Sequence, residues 1–378
     1  MQKSQTTILH LGAIRKLENC IRVFSAGSLF FVVDESAYQK SGAMVEVERI
    51  LGNFSVSRFS NFEPNPKLCD IERGIALFRD SSPDLVVALG GGSALDIGKL
   101  IGLLANQSSS PRDLITGVAP IQTSATPMIA IPTTSGTGSE ATHFSVAYVD
   151  GDKYSVAHPS SLPNVALVDP ELTVNLPKTI TSATGLDAFC QAIESIWAVG
   201  SNEQSREFAK QALHLVWCNL SKAVLSPTLD SRLAMSQGAH LAGKAINIGK
   251  TTSSHALSYF VTSRYGIPHG IAVALTISHM LKFNSQVNAA DCTDPRGVSF
   301  VKERLNEIVE ILGCDSTEDA CQKIREFIRG IGCPCSYSEA GIREKSEILQ
   351  IVESVNLQRM SNNPRSGTVE ALVQLLVD

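Results

Sequence analysis

Three short, uninterrupted apolar runs constrain this chain more than any other feature. They are Leu29-Phe30-Phe31-Val32-Val33, Asp84-Leu85-Val86-Val87-Ala88-Leu89 and Met128-Ile129-Ala130-Ile131. Each is followed by turn residues or a helix-start signal. Runs of this length with no polar alternation suit strands covered on both faces, as in a parallel α/β sheet. From about Thr181 onward the strand signal fades, and Ala188 to Trp197 and Glu207 to Leu225 carry helical spacing. The expected fold class is therefore an α/β N-terminal domain, residues 1–180, followed by an all-α C-terminal domain, residues 181–378. The Pro-containing stretch from Val168-Asp169-Pro170 to Pro177 is the expected boundary. A chain of 378 residues with 43% apolar content is long enough for two separate cores.

The turn after the second run is Gly90-Gly91-Gly92-Ser93-Ala94-Leu95-Asp96, leading into the apolar helix Ile97 to Leu104. Glycines let backbone N–H groups approach a ligand closely, and a helix start adds a positive dipole end suited to a pyrophosphate. A Gly-rich turn is also a common structural device. The turn after the third run, Pro132-Thr133-Thr134-Ser135-Gly136-Thr137-Gly138-Ser139-Glu140, offers several uncharged donors. Two such loops on one sheet would lie at its carboxyl edge, where α/β folds bind ligands. Asp34, at the end of the first run, can bond a ribose 2′-hydroxyl and would repel a 2′-phosphate, which favours NAD over NADP. Asp34 could equally cap the following helix.

The second half contains a candidate metal-ligating set. Thr184 to Glu194 opens a helix on which Asp187 and Gln191, four apart, share a face. His255 lies in the first turn of another helix, and His269 in the turn Gly266-Ile267-Pro268-His269-Gly270. One carboxylate and two imidazoles suit a divalent catalytic metal with an open position. Each histidine alone also fits an ordinary hydrogen-bonded role.

Taken together these motifs resemble the group III, iron-containing alcohol dehydrogenases. The resemblance rests on Gly90-Gly91-Gly92-Ser93 with Asp96 and Lys99, on Thr133-Thr134 through Glu140, on Gly185-Leu186-Asp187-Ala188, and on His255 and His269. It covers roughly residues 25–285, in the family's order. It implies an NAD(H)-linked oxidoreductase of dehydroquinate synthase-like fold, with the active site in the cleft between the domains. By motif match, Asp187, His255 and His269 would hold ferrous iron or zinc. Gly91, Gly92, Ser93, Asp96, Thr133, Thr134 and Ser139 would lie along the cofactor. The resemblance also implies at least a homodimer.

Two departures from the family pattern matter. Gln191 stands where the family commonly has a histidine ligand, and Tyr259 where many members have a proton-relay histidine. Gln191 is a weaker, harder ligand. Tyr259 could donate the proton or only pack. Lys244 stands where ordinary members have an apolar residue, with Thr251, Thr252 and Ser253 nearby. With Gln191, this wording is similar to the branch that reduces phosphonoacetaldehyde or sulfoacetaldehyde, and it points to a small anionic aldehyde as substrate. A general short-chain alcohol dehydrogenase is the alternative, as is a non-catalytic cofactor-binding protein with a decayed metal site. The cyclising lyase 3-dehydroquinate synthase shares the fold, but its metal set and basic pocket are not matched.

Composition excludes other classes. The net charge of -5 gives no general attraction for nucleic acid or an anionic membrane. No run of about 18 apolar residues suggests a membrane span. Met1 to His10 does not read as a signal peptide, and the nine cysteines form no CxxC pair. The expectation is a protein of the reducing cytoplasm without disulfides.

Overall fold

The computed structural model describes residues 5–355 and 360–377. The chain forms two compact units, divided between Leu176 and Pro177.

The first unit is built on a six-stranded sheet with order β1-β8-β5-β4-β2-β3. The strands are β1 (Thr6–Leu9), β2 (Ser28–Val33), β3 (Ser55–Phe59), β4 (Leu85–Gly90), β5 (Met128–Pro132) and β8 (Val165–Val168). All pairings in it are parallel. The three apolar runs are β2, β4 and β5, at the centre of the sheet. Their side chains alternate between two cores. Phe31, Val33, Val87, Leu89, Ile129 and Ile131 face one, while Phe30, Val32, Val86, Ala88, Met128 and Ala130 face the other. That is why neither set could be polar. Helices α1 (Leu17–Val23), α2 (Glu35–Ser41) and α3 (Met44–Leu51) cover the first face. Helices α4 (Leu68–Ser81), α5 (Gly92–Leu104) and α6 (Pro111–Thr116) cover the second. An antiparallel hairpin, β6 (Phe144–Val149) and β7 (Asp152–Ala157), stands apart from the sheet. Its turn residues Asp150 and Gly151 both have positive φ, 53° and 91°, the conformation that tight hairpin turns require.

The second unit is all helical among its described residues: α7 (Lys178–Trp197), α8 (Glu203–Leu225), α9 (Leu229–Gly249), α10 (Ser253–Tyr265), α11 (His269–Ser285), α12 (Val298–Ile311), α13 (Thr317–Gly330), α14 (Lys345–Glu353) and α15 (Val369–Leu376). Helix α7 is its axis: every residue from Gly185 to Trp197 is buried, as expected of a helix enclosed on all sides. Asn202 and Ser205 form a reciprocal cap on α8, and Thr228 and Ser231 one on α9.

Three helix starts differ from the sequence expectation. Helix α5 begins at Gly92 rather than Ile97, α7 at Lys178 rather than Thr184, and α8 at Glu203 rather than Glu207. In each case polar or β-branched first-turn residues hide the start from a pattern based on apolar spacing. All nine cysteines are free thiols. Among the described residues no helix is long and apolar enough to cross a membrane.

Candidate functional site

Helices α7, α10 and α11 bring three ligand-type side chains together within the second unit. Asp187, His255 and His269 each offer one donor atom, and these atoms lie within 4.8 Å of one another. Asp187 and His255 are buried, while His269 is half-buried and reachable. His255 Nε2 lies 3.3 Å from Asp187 Oδ1.

Helix ends set the positions of the two imidazoles. Gly266, at φ 67°, closes α10, and Pro268 precedes His269, the first residue of α11. Gly270 then allows that helix start to touch α7. A Cβ there would lie 1.9 Å from the Ala183 carbonyl oxygen and 2.7 Å from the Asp187 nitrogen. No larger residue fits without moving one helix, so His269 is held against Asp187 by backbone contact.

A fourth group was not singled out in the sequence. Glu194 is fully buried on α7, and its carboxylate accepts from His255 Nδ1 at 2.5 Å. With that nitrogen engaged, Nε2 is the one left to face Asp187. The signal was available: Asp187, Gln191 and Glu194 fall at i, i+4 and i+7, one face of one helix.

The electrostatics are those of an ionised cluster. Burial alone would push His255 down, but the Glu194 charge, the hydrogen bonds it donates to Asp187 and Glu194, and the Asp187 charge overcome it and hold the imidazole at about 9. Burial would push Asp187 up. The hydrogen bond to His255, the charges of His269 and His255, and a hydrogen bond with Gln191 instead hold it below the usual carboxylate value. Perturbed groups grouped in this way are a mark of functional sites.

Of the other candidates in this unit, Tyr259 and Gln191 lie against the cluster, and Lys244 packs on α8. The Tyr259 ring lies parallel to His269, with centroids 5.9 Å apart and an 8° interplanar angle. Gln191 is buried beside Asp187. Lys244, half-buried on α9, places Nζ 4.6 Å from the centroid of Phe208. Among the described residues it makes no ion pair.

In the first unit, the two Gly- and hydroxyl-rich loops leave adjacent strands at the same level, with Gly90 paired to Pro132. They interlock, since a Cβ on Gly92 would lie 2.7 Å from the Thr137 methyl. The switch in strand order falls between β2 and β4, and Asp34 and Gly91 follow those two strands. No side chain caps α5, whose N-cap is Gly91, and uncapped first-turn N–H groups of a helix suit an anion. Thr133 Oγ1 is buried without a hydrogen-bond partner beside them. Thr134 lies next to Gly91. Asp34 caps α2 by accepting from the Ala37 N–H at 3.0 Å. Ser93 Oγ accepts from the Asn65 N–H. Ser139 and Asp96 bond to each other at 2.5 Å, and Asp96 also accepts from the Val146 N–H. Lys99 is buried and donates to the Phe144 carbonyl at 2.8 Å and to Thr142. It braces the segment that leads from the second loop into β6.

Both units match known families. Residues 4–170 match the family described as iron-containing alcohol dehydrogenase, and residues 181–378 its C-terminal counterpart, the Fe-containing alcohol dehydrogenase family, C-terminal. The chain belongs to the iron-containing alcohol dehydrogenase family. As such it is an oxidoreductase acting on CH–OH groups. It is 29% identical to the NAD-dependent methanol dehydrogenase of Bacillus methanolicus, over 98% of this chain and 97% of the relative. It is 32% identical to the phosphonoacetaldehyde reductase of Streptomyces viridochromogenes, over 78% and 75% of the two chains. Among solved structures, sulfoacetaldehyde reductase from Bifidobacterium kashiwanohense in complex with NAD+ superposes with a TM-score of 0.87. That match has 28% identity and covers 99% of this chain and 96% of the other. The expected fold class is that of this iron-containing alcohol dehydrogenase family.

Proposed function

We propose that this alcohol dehydrogenase uses NAD(H) and one divalent metal to reduce a small aldehyde bearing a phosphonate or sulfonate group. The observation that carries the metal is the convergence of Asp187, His255 and His269, with Glu194 hydrogen-bonded to His255 Nδ1. The donor set fits ferrous iron or zinc: one carboxylate, two imidazoles, and a harder amide oxygen on Gln191 as a fourth. When bound, the metal polarises a carbonyl and the nicotinamide supplies hydride.

The chain's own residues do the rest. The N–H groups at Gly91 and Gly92 would hold the dinucleotide's pyrophosphate, with Ser93, Thr133 and Thr134 around it. Asp96 and Ser139, joined to each other, would line that cofactor from behind. Asp34 would take a ribose hydroxyl on the oxygen not engaged in capping, which favours NAD over NADP. Tyr259 Oη would hand a proton to the substrate oxygen. Lys244 would face the anionic tail as a point charge.

NADH oxidation by the metal-loaded enzyme, with phosphonoacetaldehyde, sulfoacetaldehyde and propanal compared, tests the substrate. A large preference in kcat/KM for one anionic aldehyde is expected. Lys244→Met should then lower kcat/KM for that aldehyde by about tenfold to a hundredfold, the value of a charge-assisted contact, and leave propanal unchanged. A second reading has an observation of its own: Lys244 packs on Phe208. On that reading the enzyme is a general short-chain alcohol dehydrogenase, and propanal turns over as well as either anion.

A further inference from the structure

We propose that Glu194 is the positioning residue of this metal centre. It holds His255 in the one tautomer that presents Nε2, and it locks the start of the helix that carries His255. The inference rests on the metal reading above.

Both carboxylate oxygens are filled by donors. Oε2 accepts from His255 Nδ1 at 2.5 Å and from the Thr252 N–H at 3.0 Å. Oε1 accepts from the Ser254 N–H at 2.7 Å and from the Thr252 hydroxyl at 2.8 Å. Each oxygen therefore meets a backbone N–H, and a backbone N–H cannot be turned round. Only a group that accepts at both atoms fits this pocket, and an ionised carboxylate is such a group.

A glutamine of the same shape fails in either orientation. With its NH2 toward His255, it opposes the Thr252 N–H and requires the imidazole to accept at Nδ1. The ring proton then moves to Nε2, where the lone pair for a metal is needed. With its NH2 the other way, it opposes the Ser254 N–H. An aspartate keeps the charge but is one methylene short. The carboxylate also faces the N-terminus of a 13-residue helix, where a negative charge is favoured. Helix α7 thus supplies one ligand, Asp187, and two turns later the group that orients the ligand opposite. Orienting carboxylates behind metal-bound histidines commonly carry this load.

The test measures Zn2+ affinity by chelator competition for the full-length parent, Glu194→Gln, Glu194→Asp and Ser253→Ala, with the thermal midpoint of each metal-free protein. Ser253 donates to Asn363 from the same helix start without touching Glu194. Glu194→Gln should weaken Zn2+ about 10- to 100-fold, Glu194→Asp less, and Ser253→Ala by no more than about threefold. Affinity losses that track the thermal midpoint equally in all variants would overturn the proposal, leaving Glu194 a helix pin. So would a Glu194→Gln variant that binds Zn2+ as the parent does. If that variant does not fold, 15N-histidine spectra of the Zn2+-loaded parent decide: the His255 proton is expected on Nδ1, and on Nε2 the proposal fails. A parent that takes up neither Zn2+ nor Fe2+ overturns the metal reading and this inference with it.

Discussion

At the scale of single residues, Tyr259 and Asp84 carry the sharpest expectations. Tyr259 was readable in the sequence as a proton donor or a packing residue, and its stack on His269 brings it beside the cluster in the helical unit. Tyr259→Phe keeps the ring and removes the hydroxyl. If Oη is the donor, kcat falls roughly 100-fold or more while Zn2+ affinity holds; a change below about twofold would make it a packing residue. Asp84 shows how a charge can usefully precede an apolar strand. The sequence reading put it inside a strand, but it precedes β4, whose first residue is Leu85. Its carboxylate accepts from the Ser28 N–H, the Ser28 hydroxyl and the Gly27 N–H, and these bonds hold it below its ordinary value of 3.8. A depressed folded pKa contributes stability that is complete above the unfolded value and is lost as pH falls through the folded one. The urea midpoint of Asp84→Asn should therefore trail the parent by a constant gap between about pH 5 and about pH 7, and the gap should close in more acid solution. A gap independent of pH throughout would show that the charge is not what matters.

At the scale of elements, only the central strands of the sheet were legible in the sequence. β2, β4 and β5 were visible because both faces are buried and, past Ser28 at the start of β2, no position is polar. β1, β3 and β8 were not singled out. β3 has a mixed burial pattern, and the four-residue β1 and β8 are too short to stand out. The β6–β7 hairpin was missed although Asp150-Gly151 is a strong turn signal. Helix contacts govern the metal set. Gly270 was read only as part of a turn, but it is where α11 touches the backbone of α7. Gly270→Ala should cost roughly 3 kcal/mol or more, since the obstacle is backbone that cannot relax as a side chain would. It should also weaken Zn2+ binding by moving His269. Calorimetry with a metal titration checks both, and an alanine variant with parental affinity would show that α11 can slide without disturbing the site.

At the scale of the whole molecule, two units with separate cores make a regional prediction. Metal bound to the native state stabilises the part that binds it. Chelation of the loaded enzyme should therefore speed amide hydrogen exchange around Glu194, the start of α10 and the start of α11. It should leave β2 and β4 unchanged. Equal acceleration across the sheet would mean that the two units unfold as one. By itself the sequence determined the α/β-then-helical order, the sheet's central strands, the paired loops and the three ligand-type residues of one cluster. The strands and the element order follow from periodicity, a local property of a chain, and the loops and ligand-type residues follow from the motifs that resemble the family's. Only the tertiary structure decided that Glu194 faces His255, that Asp96 and Ser139 bond to each other, that Lys99 braces a loop, and that Lys244 lies on Phe208. Each of these depends on which side chain meets which across dozens of residues, and that is set by packing, not by neighbours in sequence.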